Sequence, residues 1–151
     1  MNAPLSTSEA GRRAVRNARR SLASVTGLAG LASAAVLLLT EPAEVAAPAR
    51  VMIVVLAGVL GVLLAVSFVR PAAAFRVAAW LFLTGALIDG VGALLALGAV
   101  LGEGPWPLAR SVVRAMGSLW LWDVMDDAHA ASTDPDWTPD DDDDEDDDEG
   151  L

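Results

Sequence analysis

The sequence predicts an all-α integral membrane protein, with about four transmembrane helices and a disordered acidic C-terminal tail. Three observations predict it. Three apolar stretches of nineteen to twenty-five residues carry a single charge among them. All ten basic residues are Arg, and the last of them is Arg114. Ten consecutive acids, "DDDDDEDDDE", fill Asp140–Glu149.

The first element is an Arg-rich N-terminal segment, 1–20, containing Arg12, Arg13, Arg16, Arg19 and Arg20. A transmembrane bundle follows over 21–125. Its first span is Ser21–Thr40, "SLASVTGLAGLASAAVLLLT", uncharged over twenty residues. The second is Val51–Val69, "VMIVVLAGVLGVLLAVSFV", uncharged over nineteen. The third is Val77–Leu101, with one charge, Asp89, in twenty-five. About 20 apolar residues match a hydrocarbon layer roughly 30 Å thick. Backbone groups in lipid must be satisfied within the segment, so these runs are helices.

The fourth span is predicted at Trp106–Met125, "WPLARSVVRAMGSLWLWDVM". Its length suits a crossing, but it contains Arg110 and Arg114. An Arg costs about 2.5–3.5 kcal/mol at a helix centre and less near an end. The alternative is a helix lying in the interface with both Arg on one stripe. Trp120 and Trp122 suit either arrangement, because indoles favour the headgroup level. The remaining residues, 126–151, form the acidic tail.

Orientation follows from the Arg in the short flanks. Five precede the first span, and Arg70 and Arg76 lie between the second and third; the connection "EPAEVAAPAR" has only Arg50. The positive-inside rule puts the N-terminus in the cytoplasm or interior. Four spans return the tail to that side; three with an interfacial fourth helix leave it outside. A rival is export: "RRSL" at Arg19–Leu22 resembles a twin-Arg signal, with "APA" at Ala47–Ala49 as a cleavage site. The apolar run is long for a signal peptide.

Composition divides the chain in two. Met1–Trp122 has a net charge of +5, and the rest of the chain −15, which together give −10 over 151 residues. With 54 % hydrophobic residues, the charges are gathered at ends and not spread over a surface. An Arg-only basic set with abundant Ala, Val, Gly and Asp suggests a GC-rich genome, and the excess of acids a salt-loving host. The chain has no Cys and one His, and no GxSxG, HExxH, P-loop, Rossmann or CxxC pattern. The expectation is therefore no enzyme, no cofactor and no metal site.

Helices in lipid associate through close approach of small residues. Thr26, Gly30 and Ala34 offer such a row on the first span, and Ala57, Gly61 and Ala65 on the second. Gly85, Ala86, Gly90, Ala93 and Ala96 do so on the third. They favour a compact bundle, within one chain or as a homo-oligomer.

Asp89 is the sharpest residue. An intramembrane carboxyl often marks an ion or proton route. The structural alternative is a polar group that is protonated or paired with Arg114, joining spans three and four. A hairpin folded about Gly104 sets Asp89 level with residue 119, about 7–8 Å along the axis from Arg114. Side chains leaning towards their own N-termini would then diverge, unless the helices are offset or Arg114 comes from another subunit. No other acid, His or Lys lies in the first three spans to form a relay.

The charged ends have two readings each. The tail is a solvated tether, or a docking arm for a basic protein or for cations; it lacks EF-hand spacing and repels nucleic acid. His129, alone beside acids, reads as a solvated side chain. The Arg head shares one helical face through Arg12, Arg16 and Arg19/Arg20. It is a topology signal, or it binds anionic lipid headgroups or even packaged nucleic acid.

A short chain with about four spans, both ends inside and a halophile composition resembles the small internal membrane proteins of haloarchaeal pleomorphic viruses. The resemblance covers the whole chain as architecture: the spans, the candidate at Trp106–Met125 and the charged ends. It implies a structural protein lining the inner face of a lipid envelope, beside a separate spike. The ten-acid run and Asp89 stand outside it. The expectation is a structural or scaffolding protein of a virion envelope or cell membrane. The alternative is a small pore or ion-translocating subunit centred on Asp89, holin-like, or an accessory of a larger complex.

Overall fold

A computed structural model describes residues 8–39 and 47–138. They form four helices: α1 (Glu9–Leu39), α2 (Ala47–Val69), α3 (Pro71–Glu103) and α4 (Trp106–Thr133). Three are long and apolar enough to cross a membrane: α1, α2 and α3. The first three predicted spans fall on them. The Arg-rich head is no separate segment, because α1 runs from Glu9 through Arg20 into the apolar stretch without a break. At 1.5 Å per residue, its 31 residues extend about 46 Å, longer than a hydrocarbon layer.

Each boundary has a local cause. Ser8 caps α1: its Oγ accepts the Gly11 N–H at 3.0 Å, and its carbonyl accepts the Arg12 N–H. The helices α2 and α3 meet at Arg70–Pro71, where proline takes the first helical position of α3 and ends the preceding ladder. Between α3 and α4 the chain reverses through Gly104, whose φ of +80° suits glycine, and Pro105. Asp134 caps α4, donating its N–H to the Ala130 carbonyl at 2.9 Å, and Pro135 stops further helix.

The end of α4 corrects the expected tail boundary. Residues 126–133, expected within the disordered tail, are helical. Met125, Ala128 and Ala131 recur at three-residue spacing and are buried, while Asp126 and Asp127 on the other face are exposed. The alanines carry this turn; the acids only occupy its wet side. The ten-acid run Asp140–Glu149 lies outside the described residues.

The helices α3 and α4 form the tightest pair, an antiparallel hairpin with a readable register. A methyl built on Gly92 would stand 3.7 Å from Ser111 Oγ, and one on Gly85 the same distance from Ser118 Oγ. Those two contacts lie seven residues apart on both helices, the spacing of a left-handed antiparallel seam. Further along, His129 Nδ1 lies 2.9 Å from the Ala72 carbonyl. On the other side, Thr26 of α1 approaches Gly61 of α2, and Ser33 Oγ donates to the Ala29 carbonyl and more weakly to Ile53.

The core sits at one end. Ala18, Leu22, Leu60, Leu63, Phe75, Ala78, Ala79, Phe82, Met125 and Ala128 form one buried cluster. No described side chain from Leu87 to Val124 is buried. This polarity has a physical reason. Where helices stand in water they must hide apolar surface from it, whereas inside lipid the acyl chains are as apolar as Leu and do that work. The buried cluster draws on the Arg-bearing half of α1, the second half of α2, the first turns of α3 and the last turns of α4.

Candidate functional site

Two polar features stand out, a collar of arginines at the packed end and an ion pair within the α3–α4 hairpin.

The collar begins with the clasp that joins the two ends of the bundle. Ser8 N–H donates to the Pro135 carbonyl at 3.2 Å, and Ser8 Oγ–H donates to the Trp137 carbonyl at 2.8 Å. The start of α1 is thereby tied to the residues after α4. Along α1, Arg12, Arg16 and Arg19 follow at i, i+4 and i+7 and share one face, as their spacing predicts. They line an open cavity of about 340 Å³ with Gly11, Val15, Pro71, Ala131 and Ser132. Arg13 faces elsewhere, bonded to Glu9 at 2.7 Å with both side chains exposed. That hydrogen bond, followed by the charge of Arg13, holds the Glu9 carboxyl below its usual range. Arg20 is exposed on the same turns of α1.

Arg19 has a second task. In a helix the Ser67 carbonyl would accept the N–H of residue 71, but that residue is proline and has none. Arg19 Nη2 supplies the donor across helices at 2.7 Å, and its guanidinium stacks over Phe68 at 4.8 Å from the ring centroid. Its Nε is buried without a hydrogen-bond partner. On the opposite flank, Arg76, Asp126 and His129 line an open cavity with Trp80 and Trp122. His129 is therefore half-buried and bonded to α3, where the sequence suggested a solvated side chain. Seven of the arginines, 12, 13, 16, 19, 20, 70 and 76, thus belong to the packed end.

The ion pair is the second feature. Arg114 Nη2 lies 3.1 Å from Asp89 Oδ1. The offset expected from folding about Gly104 is absent because α3 runs on to Glu103, past the level where α4 begins. The Gly92–Ser111 and Gly85–Ser118 contacts set Asp89 level with Arg114 itself. Each contact is one turn from the pair, so the absence of bulk at 85 and 92 lets the helices close around it. The Asp89 side chain is 15 % exposed and that of Arg114 65 % exposed. Arg110, one turn before Arg114, is exposed. Of the small residues read as packing rows, Gly61 and Gly85 meet neighbours, but Gly30 and Gly90 have open space beside them.

Sequence reasoning missed the Ser8 clasp, the Arg19–Ser67 bond and the partners of Gly85 and Gly92. The last had a signal: Ser111 and Ser118 repeat at seven residues, as do Gly85 and Gly92. Chemically the arginine cavity suits an anion, and the pair suits helix cohesion. Among the described residues, no three of His, Asp and Glu gather to hold a metal ion. Compared with known proteins, the chain matches no family model, no curated protein and no solved structure.

Proposed function

We propose that the chain is a non-enzymatic scaffold of a lipid bilayer, lining the inner face of a haloarchaeal virus envelope or cell membrane. In this reading all four helices cross, both ends lie on one side, and the arginine collar sits among anionic headgroups there. The Asp89–Arg114 pair holds the third and fourth crossings together.

The observation that carries the reading is the Ser8 clasp. It joins the start of α1 to Pro135 and Trp137 after α4, and crossing helices whose two ends meet must cross an even number of times. Support for α4 as a crossing comes from its antiparallel packing along α3 and from the carboxylate that Arg114 finds there, which offsets part of the cost of a charge in hydrocarbon. Each collar Arg adds about 1 kcal/mol near an anionic surface.

Flotation of released particles on a density gradient tests the location. A structural envelope protein floats with lipid particles in near-stoichiometric amount; retention wholly in cell membranes, under conditions that release particles, removes the envelope reading.

A second reading, a small pore built around Asp89, has one observation in its favour: the pair has an open flank, since Arg114 is 65 % exposed. Ion flux in reconstituted vesicles separates the two. The scaffold passes no more current than empty lipid, with or without Asp89→Asn. Flux in the parent protein that disappears in the variant establishes the pore.

A further inference from the structure

We propose that the acidic tail of this chain, Asp140–Glu149, is the built-in occupant of the Arg12–Arg16–Arg19 cavity, and that it regulates access of anionic headgroups to the collar. The inference rests on the reading that both ends share one side of the membrane.

Three observations support it. The first is where the chain leaves the described structure. Pro135 and Trp137 are bonded to Ser8, so residue 138 stands beside the first turn of α1. The acids begin two residues later. Arg19 is eleven residues beyond Ser8, about 16 Å along the helix. Ten residues of extended chain span up to roughly 33–36 Å, so the tail reaches the whole cavity from its anchor with length to spare.

The second is charge. Neither Arg12 nor Arg16 forms an ion pair with a described residue, and both are exposed. Arg19 lines the same cavity, and while its Nη2 is bonded to Ser67 its buried Nε has no partner. The guanidiniums of Arg12 and Arg16 on one face, with Arg19 and Ser132 lining the same cavity, offer donors to carboxylates. The tail supplies ten carboxylates in ten residues.

The third is tethering. A segment anchored at the rim meets its site at an effective concentration in the millimolar range for a short linker. A carboxylate block so placed outcompetes free anions and yields only to a dense array of phosphates, as on an anionic bilayer. The solvated-tether reading of the tail leaves the three arginines without a counter-charge; the docked tail supplies one.

The chain contains no Cys, so paired spin labels can be placed without background. Label Asn17→Cys together with Gly150→Cys in the full chain, in zwitterionic phosphatidylcholine nanodiscs at low salt, and measure distances by pulsed electron resonance. Docking gives a short, narrow distance component. Arg12→Gln with Arg16→Gln reduces its population by at least about threefold, as does roughly 1 M NaCl, where the Debye length falls to about 3 Å. Phosphatidylglycerol nanodiscs displace it as well. The pair Asn17→Cys with Thr133→Cys, both within the described helices, confirms that each variant keeps its fold.

No short component at low salt overturns the proposal. So does a component indifferent to the arginine substitutions, since the tail then docks elsewhere. Persistence in phosphatidylglycerol overturns its regulatory part. Failure of the shared-side reading is distinguishable, because in sealed vesicles of one orientation an impermeant thiol reagent would then reach residues 17 and 150 from opposite faces.

Discussion

Replacing Asp89 and Arg114 singly and together tests the geometry of the hairpin energetically. Arg114 lies eight residues into α4 from Trp106, about 12 Å along the axis. In the proposed four-crossing arrangement, with a layer of about 30 Å, this is close to the midplane, too deep for the side chain to reach headgroups without cost. An Arg there without a partner costs about 2.5–3.5 kcal/mol on insertion scales. Asp89→Asn creates that situation. Arg114→Gln leaves a carboxyl that is only 15 % exposed, with its 3.1 Å partner gone, and costs about as much. In the double variant two amides face each other, and such interhelical contacts contribute about 0.6 kcal/mol on average. Each single substitution should therefore destabilise by about 2–3 kcal/mol and the double by no more than one of them, a coupling of about 2 kcal/mol. Reversible unfolding in lipid–detergent mixtures, followed by tryptophan fluorescence, reads it. Effects that add to within about 0.5 kcal/mol would refute the pairing.

Four further outcomes follow from particular contacts. Gly92→Ala is tolerated, since its methyl meets Ser111 Oγ at 3.7 Å, whereas Gly92→Ile prises the helices apart at about 1–3 kcal/mol, measured by thermal unfolding in detergent. Arg19→Gln removes the donor to the buried Ser67 carbonyl and costs about 1–3 kcal/mol; Pro71→Ala, which restores a local N–H, reduces that cost when the two are combined. Ser8→Ala removes the side-chain cap of α1 and the Oγ–Trp137 half of the clasp while keeping the backbone bond to Pro135, costing about 1–2 kcal/mol and raising amide exchange in the first turn of α1 and around Trp137. Glu9 has a folded-state carboxyl held below its ordinary value by Arg13. Its contribution is thus present above the unfolded value and fades as pH falls through the lowered one; Glu9→Gln flattens that acid limb in an amide-exchange profile of α1.

The helices were legible because hydrophobic runs report lipid-facing length directly. Ser21–Thr40, Val51–Val69 and Val77–Leu101 fall on α1, α2 and α3, and the breaks at Arg70–Pro71 and Gly104–Pro105 follow local rules of proline and glycine. The grouping of Arg12, Arg16 and Arg19 was legible too, since helical spacing fixes a shared face.

Interhelical register was not. Counting outward from Gly104 assumed a symmetric hairpin, while the helices close where Gly85 and Gly92 meet Ser118 and Ser111. That offset converts an apparent mismatch of Asp89 and Arg114 into a direct pair. The end of α4 was hidden for a different reason. Acids at 123, 126 and 127 dominate the local composition, yet three small or flexible apolar residues at three-residue spacing suffice to bury one face. The Ser8 clasp joins positions 129 residues apart, and no local pattern announces such a contact.

Sidedness of single cysteines tests the central claim most directly. Asn17→Cys, Thr133→Cys and Pro48→Cys, each alone in the full chain and reconstituted in sealed vesicles with one orientation, are exposed to an impermeant maleimide. Four crossings joined by the Ser8 clasp predict that residues 17 and 133 react from one face and residue 48 from the other. Reaction of 17 and 133 from opposite faces would contradict the account, leaving α4 as a helix that does not cross.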